Sequence, residues 1–300
     1  HDNTTGAANT AVGRSALNAN TTGACNVAVG CSALVTATTA GQNVAIGVCS
    51  MYATTSGDNN TSIGTLSMCS NTTGTNNVAV GMQAAYNITS GYQNAALGDT
   101  ALFSTTTGQR NTASGYRSLF NITTGHGNTA YGACALCGNT TAGNNTAIGR
   151  GAMRSNTTGA LNTASGYKAL YANTTGQHNV GVGYESLCNN TTSEFNTAVG
   201  NCSLFSNTTG NSNTAVGFKS LCKNTCGNQN IAIGSASMCG NTTGCHNIAA
   251  GYYALGSNST GSNNIAIGHQ SLICNTTANF NVAVGYKALC SNTTGAGNTA

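Results

Sequence analysis

Small and apolar positions alternate over five residues, give way to polar ones, and return every 17 residues along the whole chain. Written in rows of 17 from Asn3, it reads NTTGACNVAVGCSALVT from Asn20, NTTGNSNTAVGFKSLCK from Asn207 and NTTANFNVAVGYKALCS from Asn275. The consensus is N-T-T-G-x-x-N-[TVI]-A-[VI]-G-x-x-[AS]-L-x-x, and no insertion or deletion breaks the register over eighteen rows, the last of them partial. The segment N-[TVI]-A-[VI]-G combines β-branched residues with period-two alternation, which predicts a strand. The segment [AS]-L-x-x predicts a second strand, with N-T-T-G and G-x-x as turns. Helix-pair repeats need about 33 residues or more, so the expected fold is all-β. It is a parallel β-solenoid (β-roll) of about 18 coils, one per 17-residue repeat, filling residues 1–300 as a single uninterrupted array. The chain starts and stops within a row, as expected of a fragment of a longer chain whose caps lie outside it.

Stacking turns each position into a column. Position seven is Asn in every row: Asn9, Asn26, Asn43, Asn60, Asn77, Asn94, Asn111, Asn128, Asn145, Asn162, Asn179, Asn196, Asn213, Asn230, Asn247, Asn264, Asn281 and Asn298. It is expected to form a structural amide ladder, the alternative being a turn Asn with positive φ. Position nine is small and position fifteen is Leu or Met except at Ala85, which suits a tight interior. Positions eight and ten form a β-branched stripe, including Val29, Ile46, Ile63 and Val80. If the small face lines the coil, that stripe faces outward and marks an interface for self-association, as a lateral bundle or a trimer. The alternative places it in the core.

Charge adds little. Charged residues make 5% of the chain, net charge is +4, and Pro and Trp are absent. The scattered Lys and Arg offer no track for nucleic acid, and no apolar run approaches the ~18 residues of a membrane span. Asp2, Asp58, Asp99, Glu185 and Glu194 are the only carboxylates, and the five histidines are spread over four columns. Cys134-x-x-Cys137 lacks a second pair, and no Asp column suits calcium. No catalytic residue, metal or cofactor is therefore expected, and the chain reads as something other than an enzyme. Fourteen cysteines suit an oxidising compartment if they pair. Cys222 and Cys239 fall on consecutive rungs and Cys274 and Cys290 nearly so, making Cys222–Cys239 and Cys274–Cys290 the candidate disulfides.

The Asn-x-Ser/Thr triplets are placed unevenly. Twelve start at position one: Asn3, Asn20, Asn71, Asn139, Asn156, Asn173, Asn190, Asn207, Asn241, Asn258, Asn275 and Asn292. Where that position is Ile88 or Ile122, Asn87 and Asn121 supply a triplet one residue earlier. Position seven is almost closed to such triplets, so position one is expected to be an outward turn bearing N-linked glycans and position seven a bare inner ladder.

The runs NVAVG, NIAIG and NTAVG followed by x-x-A/S resemble the head repeats of trimeric autotransporter adhesins. They also resemble the NTAVG-x-x-AL repeats of phage and giant-virus tail-fibre-like proteins, over the whole chain. The adhesin repeat is usually shorter and rarely rich in cysteine. The resemblance implies a trimerising parallel β-roll on a surface appendage. The expected function is a structural, N-glycosylated fibre or filament, secreted or cell-surface, that associates end to end. An adhesin-type module contacting a host surface or carbohydrate through turn residues such as Tyr116, Tyr167, Tyr184, Tyr252 and Tyr286 is the alternative. Ice binding is a lesser one, because adjacent Thr in T-T-G point to opposite faces.

Overall fold

The structure, a computed structural model, describes residues 2–300. The chain divides into two compact units, His1–Arg150 and Gly151–Ala300, and each is a parallel β-solenoid with one coil per row. In the first unit nine three-residue strands run from β1 (Thr10–Val12) and β2 (Val27–Val29) to β9 (Thr146–Ile148). In the second, eight run from β10 (Thr163–Ser165) to β17 (Val282–Val284). Within each unit every strand pairs in parallel with the next, 17 residues on, as Thr10 with Val27 and Thr214 with Ile231. No helix occurs among the described residues.

Each strand covers only positions eight to ten, and glycine at position eleven ends it. At Gly217 φ is +131°, and a Cβ there would stand 2.6 Å from the carbonyl oxygen of Gly234 one rung on. Only glycine fits both that dihedral and that approach.

Positions twelve to seventeen, expected to hold a second strand, form turns instead. Positions thirteen and fifteen take left-handed φ, as at Lys219 (53°) and Leu221 (49°), and position six does the same, as at Ser212 (57°). Two left-handed residues separated by one neighbour curl the chain where a strand would extend it. That conformation costs a side-chain-bearing residue on the order of 1–2 kcal/mol. The curl offsets the cost by driving position fifteen into the interior, where Leu34, Leu102, Leu204 and Leu221 are fully buried. Burying each such side chain contributes about 2–3 kcal/mol. The turn is also stitched rung to rung, with the Leu221 N–H donating to the Ser237 carbonyl at 3.0 Å.

The interior is narrow. Position nine is small and buried, alanine in most rows, as at Ala28, Ala198 and Ala215, with Ser62 and Gly181 as the departures, and position fourteen is buried alanine or serine. A buried serine there donates back to the glycine that ends its strand, as Ser203 Oγ does to the Gly200 carbonyl at 2.9 Å. Since the small position nine faces inward, positions eight and ten face outward. Val12 remains 57% exposed and Ile233 48%.

Candidate functional surface and the two asparagine columns

Both asparagine columns lie inside the coils. At position seven the Asn213 N–H and Nδ2 donate to Asn196 Oδ1 at 2.9 and 3.2 Å, and the second Nδ2 hydrogen reaches the Gly227 carbonyl at 2.8 Å. The pattern repeats along each unit, for example at Asn26, Asn77 and Asn128 in the first and Asn230, Asn264 and Asn281 in the second.

Position one makes a second ladder, which corrects the outward orientation expected for it. Asn241 Nδ2 donates to Asn224 Oδ1 at 2.8 Å and to the Gly244 carbonyl at 3.0 Å. The second bond closes the side chain over its own N-T-T-G turn, pulling it inward. Asn20, Asn71, Asn139, Asn156, Asn173, Asn190, Asn207, Asn241, Asn258 and Asn275 are all buried. Asn3 is exposed and Asn292 half-buried. The shifted Asn87 and Asn121, at position seventeen, are half-buried and exposed. A sugar has no room on the ten buried amides, so the glycan column read from the sequence is not outward-facing. The second ladder escaped sequence reasoning, although its signal, Asn three residues before Gly, is that of a side chain closing a turn.

What faces solvent is a set of side-chain columns. On the strand face, position ten presents Ile46, Ile63, Leu97 and Ile148 in the first unit and Val199, Val216, Ile233 and Ile267 in the second, all exposed. Position eight beside it mixes Thr with Val and Ile, and no strand carries a charge. At the turn edge, position twelve carries aromatic stacks. Tyr167 and Tyr184 lie 5.3 Å apart, and His269 sits between Tyr252 (5.2 Å) and Tyr286 (5.4 Å). The Lys that follows such a ring folds over it, as Lys287 does 5.3 Å from Tyr286. A shallow groove of about 300 Å³ on the second unit is lined by Glu185, Cys202, Phe205, Ser206, Lys219, Cys222 and Lys223.

The four cysteines of the candidate disulfides are free thiols. Cys222 Sγ points instead to the Cys239 carbonyl, 3.6 Å away, and Cys239 Sγ to the Gly256 carbonyl, 3.5 Å away. Each thiol bonds along the axis to a carbonyl of the next rung. Burial pushes both thiols above the ordinary range. Cys274 is exposed at position seventeen while Cys290 is half-buried at position sixteen, so the two occupy different columns.

Two of the few ionisable groups show structural roles. Asp58 Oδ1 accepts from the Gly41 N–H at 2.7 Å, and His178 stacks on Phe195 at 4.9 Å. Among the described residues no group of three or more His, Cys, Asp or Glu is placed to hold a metal ion. No helix among them is long and apolar enough to cross a membrane. No protein-family model matches the chain, and a search of curated proteins finds none similar to it.

Proposed function

We propose that this chain is a scaffold segment of an extracellular fibre whose outward strand face joins copies side by side. The carrying observation is the uncharged, largely apolar column at position ten, which Ser114 and Ser165 interrupt and which stays exposed at Ile46, Ile63, Leu97, Ile148, Val199, Val216, Ile233 and Ile267. Such faces mark surfaces that associate. The low charge and the resemblance to fibre and adhesin-head repeats support placing it outside the cell, whereas the free thiols of Cys222, Cys239, Cys274 and Cys290 lend that placement no support. The test is Ile46→Asp, Ile63→Asp, Ile233→Asp and Ile267→Asp in one chain, followed by sedimentation and electron microscopy. Lateral assemblies of the wild type should dissociate while circular dichroism stays unchanged. A wild type that remains monomeric at high concentration overturns the reading.

A second reading, a module that contacts a host surface or carbohydrate, is favoured by the stacked Tyr252, His269 and Tyr286. Tyr252→Ala with Tyr286→Ala should then abolish binding to a glycan array without affecting assembly. Ice binding has less support. Stacked Thr112, Thr129 and Thr146 face outward at position eight, but the neighbouring column there holds Ser114, Tyr131 and Ile148 and so lacks a Thr partner. An assay of ice recrystallisation inhibition decides it.

A further inference from the structure

The sequence holds nineteen Asn-x-Ser/Thr triplets, and the fold sorts them into two groups. Eleven have a buried Asn: ten at position one, and Asn60 at position seven. Among the rest, Asn59, Asn121, Asn144, Asn189 and Asn201 are exposed at positions six, seventeen and twelve, and Asn87 is half-buried.

The chemistry of N-glycan transfer conflicts with the ladder atom by atom. The Asn Nδ2 displaces the pyrophosphate of a lipid-linked oligosaccharide from the anomeric carbon of the first sugar. One N–C bond forms, one C–O bond breaks, and one amide hydrogen leaves as a proton. The amide keeps a single N–H. In the ladder both hydrogens are used: Asn173 Nδ2 donates to Asn156 Oδ1 at 2.8 Å and to the Gly176 carbonyl at 3.0 Å. Asn258 Nδ2 does the same toward Asn241 Oδ1 at 2.8 Å and the Gly261 carbonyl at 2.9 Å. A sugar there removes one of two buried bonds and must also pass through a wall of stacked turns, since Asn173 and Asn258 are 0% exposed.

We propose that N-glycosylation at position one and closure of the coil are mutually exclusive. The folded chain tolerates N-glycans only at outward triplets, namely Asn59, Asn87, Asn121, Asn144, Asn189 and Asn201. A secretion route that meets an oligosaccharyl transferase before folding would trap this chain open. Export that bypasses the transferase would leave the ladder intact.

The geometry supplies a clean variant. The hydroxyl that makes each buried position-one triplet an acceptor is at position three, which points outward, as at Thr175, Thr192 and Thr243. Replacing the position-three Thr of every buried position-one triplet by Val, with Ser62→Ala for Asn60, erases the acceptors and keeps every ladder amide. Wild type and variant are made in a glycosylating secretory host and in bacterial cytoplasm. Glycan sites are then mapped by mass spectrometry, separately for protease-resistant and protease-sensitive material. Bacterial wild type and both preparations of the variant should be resistant, with sugar on the secreted variant confined to outward triplets. Secreted wild type bearing sugar on a buried ladder Asn should appear only in the sensitive fraction. Resistant, β-rich wild type with sugar at Asn173 or another buried ladder residue overturns the proposal. So does bacterial wild type that is as protease-sensitive as the glycosylated material.

Discussion

In the second unit position one is Asn in every row from Asn156 to Asn292, and each amide reaches the one before it at 2.8–3.3 Å. In the first unit the same column reads Asn3, Asn20, Ala37, Thr54, Asn71, Ile88, Thr105, Ile122 and Asn139. Three buried polar atoms without a hydrogen-bond partner fall there: Asn20 Oδ1 beneath Ala37, Asn71 Oδ1 beneath Ile88, and Thr105 Oγ1 between Ile88 and Ile122; the fourth among the described residues, Arg117 Nε, lies at position thirteen, its guanidinium 4.3 Å from the Phe120 ring. Each amide oxygen depends on a donor one rung on, so Asn20 and Asn71 are orphaned where Ala37 and Ile88 follow them, whereas the Thr54 hydroxyl still accepts from Asn71 Nδ2 at 3.4 Å. Position seven admits no such mixing. Its Oδ1 also accepts a main-chain N–H, as Asn196 does from Asn213 at 2.9 Å. Losing that oxygen strands a buried backbone donor, whereas the Gly carbonyl bonded by a position-one Asn keeps a second donor from position seven, as Gly244 does from Asn230 at 2.8 Å.

The contrast is most sharply broken by Asn241→Ala in the continuous ladder. It orphans Asn224 Oδ1 and one Asn258 hydrogen and leaves a void, so a loss of about 3–5 kcal/mol is expected in chemical denaturation. A loss below about 1 kcal/mol would show that the ladder's bonds add nothing net. Repairing the interrupted column should have the opposite sign. Ala37→Asn gives Asn20 Oδ1 a donor and meets the Thr54 hydroxyl on its other side, for a gain of about 1–2 kcal/mol. A lowered melting temperature would mean that the rung has closed around alanine. Thr105→Val removes an unpartnered hydroxyl at nearly constant shape between two isoleucines, and should stabilise by about 1 kcal/mol.

The smallest effect distinguishes the units by thiol chemistry. In the first, Arg14 Nη2 donates to Cys31 Sγ at 3.5 Å, and that bond holds the thiol below its ordinary range. In the second, burial pushes Cys188 up to about 11. Alkylation at pH 8 followed by peptide mapping should label Cys31 first and leave Cys188 intact. Because the folded Cys188 holds its proton more tightly than the unfolded thiol, its contribution to stability is complete below about pH 8.5 and declines as pH rises toward 11. Equal labelling rates for Cys31 and Cys188 would remove this distinction.

The repeat length, the strand at positions eight to ten and the apolar filling of position fifteen were legible because each rests on a residue type that recurs in the same slot row after row. Orientation was harder to read. Positions one and seven carry the same residue, and which way each points depends on the left-handed residues that curl the chain between them. Those residues leave little compositional trace: position six holds Ala8, Cys25, Gln42 and Phe195 in left-handed φ without a glycine to announce it. The second strand was misread for the same reason. Ser-Leu and Ala-Leu look like a strand until both positions beside the buried alanine or serine prove left-handed. The outward face at positions eight and ten was visible as a stripe. Its direction was settled by position nine, where the small residues alanine, Ser62 and Gly181 fit the narrow interior.

The uniform register has a consequence for the gene. Each row touches only its neighbours in the column, so unequal recombination between repeats would add or remove whole rows without disturbing the coil on either side. What selection would then see is the new junction. Removing residues 224–240 brings Asn241 over Asn207 and leaves the ladder unchanged, and that shortened chain is expected to keep its β signature by circular dichroism. Removing residues 37–53 brings Thr54 over Asn20 and supplies the hydroxyl donor that the longer chain lacks there. An array of this kind can change length by copying error while its columns record which joins were tolerated.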